Sequence, residues 1–214
     1  MTQIVLLGGT GYTGANIAAE AVSRGHSVIS WSRTLPESPI DGVSYETGSL
    51  LDPAVLRRAI SGADVVIGTL SPRGELAGKQ RMLYGSIAEQ LAGTGTRWGV
   101  VGGFSSLRPA EGAARFADSG EVPAEYLQEA QELSGVADDL GSSPDDLDWF
   151  FLSPAAVYGS YVPGEKLGRY RVGGEVAIFD EKGESVISGA DYATAVIDEI
   201  ETPAHHRAQF GVAY

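Results

Sequence analysis

The chain contains no cysteine. Disulfides, thiolate nucleophiles and sulfur-ligated metals are excluded together, and such a composition fits a reducing compartment. Histidine is almost as scarce, with only His26, His205 and His206. None has the spacing of a metal ligand set, so no metal site is expected. His205 and His206 follow Pro203 and are expected on a solvated loop. No apolar run approaches the ~20 residues of a membrane span, and the opening one is too short for the core of a secretion signal. A cytoplasmic protein is the expectation. Positive charge is also in short supply: 15 Lys and Arg against 28 Asp and Glu, a net charge of −13. A field of that sign repels nucleic acid and anionic membranes, so neither is expected as a partner. The acids are scattered, which reads as a solvated surface. An anionic ligand would need local positive groups.

What is present begins at the N-terminus. Ile4-Val5-Leu6-Leu7 is an unbroken apolar run, and Gly8-Gly9-Thr10-Gly11-Tyr12-Thr13-Gly14 follows it directly. Ala15, Ile17, Ala18, Ala21 and Val22 then repeat with helical spacing. Strand, glycine turn and helix in that order is the context of a dinucleotide-binding turn. One glycine turns the chain sharply, one lets backbone N–H groups approach a pyrophosphate, and one lets helix and strand pack closely. The helix N-terminus adds unpaired N–H groups and a partial positive charge. An ordinary strand–helix turn without ligand is the alternative.

With 214 residues, 43% of them hydrophobic, the chain can bury one sizeable core. It reads as one domain, residues 1–214. Further strands are expected at 27–32, 43–47, 65–67, 97–102 and 147–152, and helices at 53–60, 76–91, 124–140 and 191–200. Asp52 as cap and Pro53 in the first turn mark the start of the second helix. This alternation predicts an α/β fold, a Rossmann-like doubly wound parallel sheet with right-handed crossovers. Residues 155–190 differ in character and are expected to form a small substrate lobe. Within it Arg169–Val172, the pair Gly173-Gly174 and Glu175–Phe179 read as a β-hairpin. Residues 209–212 are read as a short final strand.

Ser32 and Arg33 end the second strand about 20 residues past the glycines. An acid at that point grips the ribose 2′-hydroxyl of NAD, whereas an Arg accommodates the 2′-phosphate of NADP. A guanidinium and a hydroxyl suit a phosphate dianion, so NADPH is the expected cofactor in preference to NADH. A solvated Arg at a strand end is the bland alternative. The loops after the fourth, fifth and sixth strands should frame the crevice. They carry Thr69, Leu70 and Ser71, then Phe104 and Ser105, then Pro154, Ala155 and Tyr158. Ser105 is the candidate catalytic residue, either bonding an acceptor carbonyl or the nicotinamide amide, or serving only as a turn residue bonded to its own backbone. Tyr158 reads as pocket wall. The Tyr-x-x-x-Lys pair that moves a proton alongside hydride in short-chain dehydrogenases is missing: Lys79, Lys166 and Lys182 are preceded at the fourth position by Glu75, Val162 and Ile178. Hydride transfer to a flavin or quinone needs no such pair, because the acceptor takes its proton from water.

Gly8–Gly14 and Val100-Val101-Gly102-Gly103-Phe104-Ser105-Ser106-Leu107 resemble the atypical short-chain dehydrogenase/reductases. More narrowly, the chain is similar to the NAD(P)H-binding NADH-flavin reductases, relatives of the flavin/biliverdin reductases and the NmrA-like group. The second half carries the sharper likeness, in Leu147-Asp148-Trp149, Leu152-Ser153-Pro154-Ala155, Gly168-Arg169-Tyr170-Arg171, Asp191-Tyr192-Ala193 and Phe210–Tyr214. The resemblance implies a Rossmann-like fold with a minimal substrate lobe. It implies NAD(P)H at Gly8, Thr10, Gly11, Tyr12, Thr13 and Arg33, with Ser32 and Leu50 counted alongside, and Thr69, Leu70 and Gly102 on the nicotinamide side. Flavin would be a substrate, one of several small planar acceptors. Where the family has Gly-Gly-Ala-Gly-Ser-Leu, this chain has Gly102–Leu107 with a bulky Phe104, which either narrows the acceptor pocket or stacks on its ligand. Two other readings stay open: an NmrA-like regulator that binds NADP(H) without turnover, and an isomerase or epimerase. Monomer and homodimer are both compatible with the sequence.

Overall fold

A computed structural model describes all residues, 1–214. In chain order the main elements are β1 (Gln3–Leu7), α1 (Tyr12–Ser23), β2 (Ser27–Ser32), β3 (Val43–Thr47), α2 (Pro53–Ile60), β4 (Val65–Gly68), α3 (Gln80–Leu91), β5 (Arg97–Val101), α4 (Ala124–Gly141), β6 (Trp149–Ser153), β7 (Arg171–Val172), α5 (Gly189–Glu201) and β8 (Ala208–Ala213). The strands form one eight-stranded sheet in the order β3-β2-β1-β4-β5-β6-β8-β7. Seven are parallel, and only β7 runs antiparallel, against β8. The order reverses between β1 and β4, the switch point at which Rossmann-like sheets bind their ligands.

The apolar runs are unbroken because both faces of the sheet are covered. Alternate residues of each strand enter opposite cores. Val5 and Leu7 join α2, α3 and α4 on one side, with Trp98, Val136 and Phe151. Ile4 and Leu6 join α1 and α5 on the other, with Ile17, Tyr192, Val196 and Phe210. Asp52 caps α2 as expected, its carboxylate accepting from the N–H of Ala54 at 2.8 Å.

Three expectations are corrected. The helix expected from Leu76 starts only at Gln80. Residues 74–76 make a short 3₁₀ turn, and Gly78 at φ +69° breaks the helical path. The hairpin across Gly173-Gly174 does not form. Arg171 and Val172 pair instead with Ala213 and Val212, and Gly173 donates its N–H to the Gly211 carbonyl at 2.9 Å. Residues after the turn go to Arg108, which exchanges backbone bonds with Glu175 and Ala177 and holds the Glu175 carboxylate at 3.0 Å. The free edge of β8 out-competes the local turn, and β8 is itself a full parallel strand of the sheet. Finally, His205 lies on the expected loop but is only partly solvated. Its ring stacks on Phe210 at 3.7 Å between centroids, and its Nδ1 lies 2.7 Å from Glu199 Oε2. His206 is exposed beside Asp148.

Besides the pairing of Arg171 and Val172 with β8, residues 165–168 are tied to α5 by one buried carboxylate. Asp191, in the first turn of α5, accepts from the N–H of Leu167 at 2.7 Å and of Gly168 at 2.9 Å. It also accepts from the hydroxyls of Ser188 at 3.0 Å and Tyr214 at 2.6 Å. Burial pushes its pKa up, but these donors outweigh burial and hold it below the ordinary carboxylate value. A depressed folded-state pKa stabilises above the unfolded value of about 3.9 and is lost as pH falls through the folded value. The segment 165–168 should therefore loosen in acid below about pH 4, read as lost hydrogen-exchange protection of the Leu167 and Gly168 amides. In Asp191→Asn these two amides should be weakly protected at every pH. Full protection at neutral pH in that variant would refute the anchoring role.

Candidate active site

The crevice at the carboxyl ends of the strands is an open cleft of about 1640 Å³. At one end lies the glycine turn. Gly8 has φ +97°, a backbone region reserved in practice for glycine, and its N–H donates to the Trp31 carbonyl at 2.8 Å. Side chains are excluded by contact at the next positions. A Cβ on Gly9 would strike Ser30 Oγ, and one on Gly14 would stand 2.6 Å from both Gly8 O and Gly9 Cα. Gly11 is different. It is exposed, and a Cβ there would meet nothing closer than Gly8 O at 3.5 Å. The protein leaves that space free, as a ligand approaching the backbone requires.

Gly11 is also the N-cap of α1 and supplies no side-chain cap, and the first turn holds no acid. Asp52 and Ser188, by contrast, cap α2 and α5. The first N–H groups of α1 are thus open to an anion. Tyr12 and Thr13 flank this end. The Tyr12 hydroxyl accepts from the Gly189 N–H at 3.1 Å, and the Thr13 and Tyr158 hydroxyls lie 2.8 Å apart. Burial raises the Tyr158 pKa well above the ordinary value, so its hydroxyl stays protonated.

The floor is made of three loops. Thr69 is tied to β1, its N–H and hydroxyl both donating to the Leu7 carbonyl. Leu70 is gripped from α3: Gln80 Nε2 donates to its carbonyl at 2.6 Å, and its N–H donates to the Tyr84 hydroxyl at 3.1 Å. Burial pushes the Tyr84 pKa up to about 12, so that hydroxyl stays protonated too. Ser71 is exposed at the mouth. Gly102 is buried, with the Phe151 ring where a side chain would go. Phe104 stacks on Phe116 at 4.8 Å and meets Phe179 edge-on at 6.2 Å. Ser105 is half-buried in the same 3₁₀ turn, and its hydroxyl makes no bond to its own backbone. Pro154, Ala155 and Tyr158 form the opposite wall.

Gly11, Tyr12, Thr13, Thr69, Leu70, Ser71, Gly102, Phe104, Ser105, Pro154, Ala155 and Tyr158 all line this one cleft. Gly8, Thr10, Ser32, Arg33 and Leu50 do not. Ser32 is buried and donates to the Thr34 carbonyl at 2.6 Å, and Leu50 lies in the core beside Trp31. Arg33 is 64% exposed, with only Glu75 near it at 3.9 Å, so its guanidinium is available. Sequence reasoning missed the grip of Gln80 and Tyr84 on Leu70, although their i, i+4 spacing on α3 was readable. It also missed the α4 side of the cleft, with Glu121, Glu125, Tyr126, Glu129 and Glu132, and the rim residues Tyr161 and Phe179. A second hollow of about 770 Å³ lies between α3 and α4, away from the glycine turn.

The family model described as NAD(P)H-binding matches residues 8–203. The chain belongs to this NAD(P)H-binding family. Its relatives of known structure match end to end. SP1627 of Streptococcus pneumoniae is 31% identical, covering 100% of this chain and 99% of its own, with a TM-score of 0.85. A Burkholderia pseudomallei protein is 37% identical over 100% of both chains, at 0.86. A Bacteroides thetaiotaomicron protein is 32% identical over 100% and 97%, also at 0.86. Their provisional names differ: NADH-flavin reductase, exported protein and epimerase, respectively. The fold is therefore shared with these three proteins, whose names do not agree on a reaction. No helix is long and apolar enough to cross a membrane.

Proposed function

We propose that this member of the NAD(P)H-binding family is an NADPH-preferring reductase. In this reading it passes hydride to a planar acceptor, a flavin or quinone held as a substrate. The carrying observation is the cleft. At about 1640 Å³ it exceeds the 300–1,000 Å³ typical of a single small-ligand pocket. It runs from the open end of α1 past Gly102 to a rim of aromatic rings, which leaves room for a dinucleotide and a second ring system together.

The residues present fit the cofactor. The α1 N-terminus and the space above Gly11 suit a pyrophosphate, and the exposed Arg33 guanidinium suits a 2′-phosphate. When bound, the nicotinamide supplies the hydride. Thr69 and Leu70 would fix its ring, since both are pinned through their backbones to β1 and α3. Ser105 offers a hydroxyl to an acceptor carbonyl. Phe104, already braced by Phe116 and Phe179, would form a flat wall for the acceptor. The acceptor gains hydride and then one proton from water, so the absence of a Tyr/Lys pair is no obstacle. A regulator without turnover would present an exposed apolar interaction surface in place of an open acceptor cleft, and the aromatic end of the open cleft supports the enzyme reading.

Anaerobic mixing with NADPH or NADH, followed at 340 nm with flavins and simple quinones, tests this reading. Enzyme-dependent oxidation is expected, faster with NADPH. Arg33→Ala should weaken NADPH binding roughly 10- to 150-fold, the effect of a lost charge-assisted bond of about 1.5–3 kcal/mol. NADH binding should change less than threefold. Equal losses for both cofactors would refute the 2′-phosphate assignment. Tight cofactor binding with no turnover on any acceptor would refute the reductase reading.

A further inference from the structure

Five charged side chains line the cleft: Arg73, Glu121, Glu125, Glu129 and Glu132. Arg73, the single cation, is paired with Glu129 at 3.2 Å. Glu132 accepts from the backbone N–H groups of Gly78 and Arg81, each at 3.2 Å. Glu121 and Glu125 are exposed and form no ion pair. Three exposed aromatic rings line the same cleft, from three separate segments: Tyr126 at 50%, Tyr161 at 76% and Phe179 at 42% exposure. Open aromatic rings gathered at one mouth mark a binding surface, and they suit a flat ring stacked or met edge-on. The groups suited to anions, the α1 end and Arg33, belong to the cofactor's part of the site.

Resting on the reductase reading above, we infer that the acceptor is a planar ring system with no phosphate or carboxylate of its own, and that Glu121 and Glu125 enforce this. A phosphate monoester carries about −1.5 to −2 charges at pH 7. At this end of the cleft it would meet two free carboxylates and no free cation. Repulsion at surface dielectric over several ångströms amounts to roughly tenfold or more in affinity. A neutral tail, or none, escapes it. The preferred flavin is therefore the unphosphorylated one, and acceptors bearing propionates or other carboxylates are disfavoured for the same reason.

Riboflavin and FMN make the test direct, because they share one reacting ring and differ in the phosphate. With NADPH saturating and at low salt, kcat/KM for riboflavin should exceed that for FMN by about tenfold or more, carried mainly by KM. The ratio should shrink as salt rises toward 1 M, where the screening length is about 3 Å. The double variant Glu121→Gln/Glu125→Gln should bring it toward one, and a ratio unmoved in that variant would overturn the assignment to these residues. Flavin-fluorescence titration of the protein–NADP⁺ complex reads the same preference without turnover. Riboflavin bound over FMN but never reduced would overturn the reductase reading and leave the charge selection standing. FMN bound or reduced as well as riboflavin would overturn the selection. A cleft that binds neither would overturn both.

Discussion

An Arg97→Ala protein is expected to lose about 3–5 kcal/mol of stability, the loss typical of a buried charge stripped of its partner. Arg97 opens β5 at the end of the sheet opposite the cleft and is 7% exposed. It donates to the Glu199 carbonyl at 2.7 Å, to Glu199 Oε1 at 2.6 Å and to the His205 carbonyl at 2.7 Å. Its Cζ lies 4.7 Å from the centre of the Phe150 ring. Glu199, 5% exposed, also accepts from the N–H groups of Ala204 and His205. Removing the guanidinium strips this buried carboxylate of its arginine and leaves it only the groups of Ala204 and His205. In a chain of this size the loss corresponds to roughly 6–20 °C in melting temperature, readable by calorimetry. The double change Arg97→Met/Glu199→Leu should be less harmful than either single one, because no unpaired charge remains. Burial pushes the Glu199 pKa up, but the bonds from His205 and Arg97 outweigh burial and leave it below the ordinary value. That contribution is present above about pH 4.3 and fades as pH falls through the lower folded value. The gap between wild type and Arg97→Ala should therefore narrow in acid. A melting temperature within 2 °C of wild type at neutral pH would refute the account.

This network also marks the boundary of what the sequence could disclose. Strands such as Ile4–Leu7 were legible because burial on two faces demands an unbroken apolar run, a property of a few adjacent residues. The cap at Asp52 was legible for the same local reason. His205 was only half legible because its partial burial depends on Arg97, 108 positions away, and on Phe210 in a strand whose place in the sheet was unknown. The hairpin at Gly173-Gly174 failed likewise: the turn signal was local and real, but the pairing partner was the distant edge of β8. In the site, the crevice loops could be named from where their strands end. The α4 wall could not, because nothing in Glu121–Glu132 fixes which way that helix face turns until Glu132 is seen on the N–H groups of Gly78 and Arg81. Fold and cofactor class lie in local patterns, whereas the far wall of the cleft is assembled from segments distant in sequence.

Gly11→Ala should separate ligand approach from folding at the one position where the two come apart. Its backbone, at φ −75° and ψ 169°, is open to any residue. The new Cβ would meet no protein atom closer than 3.5 Å. Alanine restricts the unfolded chain, which stabilises by about 0.4–1 kcal/mol, but it is a poorer helix cap than glycine by a similar amount. The melting temperature should thus stay within about 2–4 °C of wild type. In the proposed site the methyl group would stand where the pyrophosphate approaches the backbone, and crowding of that kind costs about 1–3 kcal/mol. NADPH and NADH affinities should fall together by roughly 5- to 150-fold, unlike the selective loss expected at Arg33. Gly14→Ala makes the opposite case. Its Cβ would press on Gly8 O and Gly9 Cα at 2.6 Å, both backbone atoms of the turn itself. Stability and cofactor binding should then fail together. Melting curves and cofactor-fluorescence titrations on the two variants settle the matter. Undiminished cofactor affinity in Gly11→Ala would place the pyrophosphate elsewhere and remove the structural basis for the site.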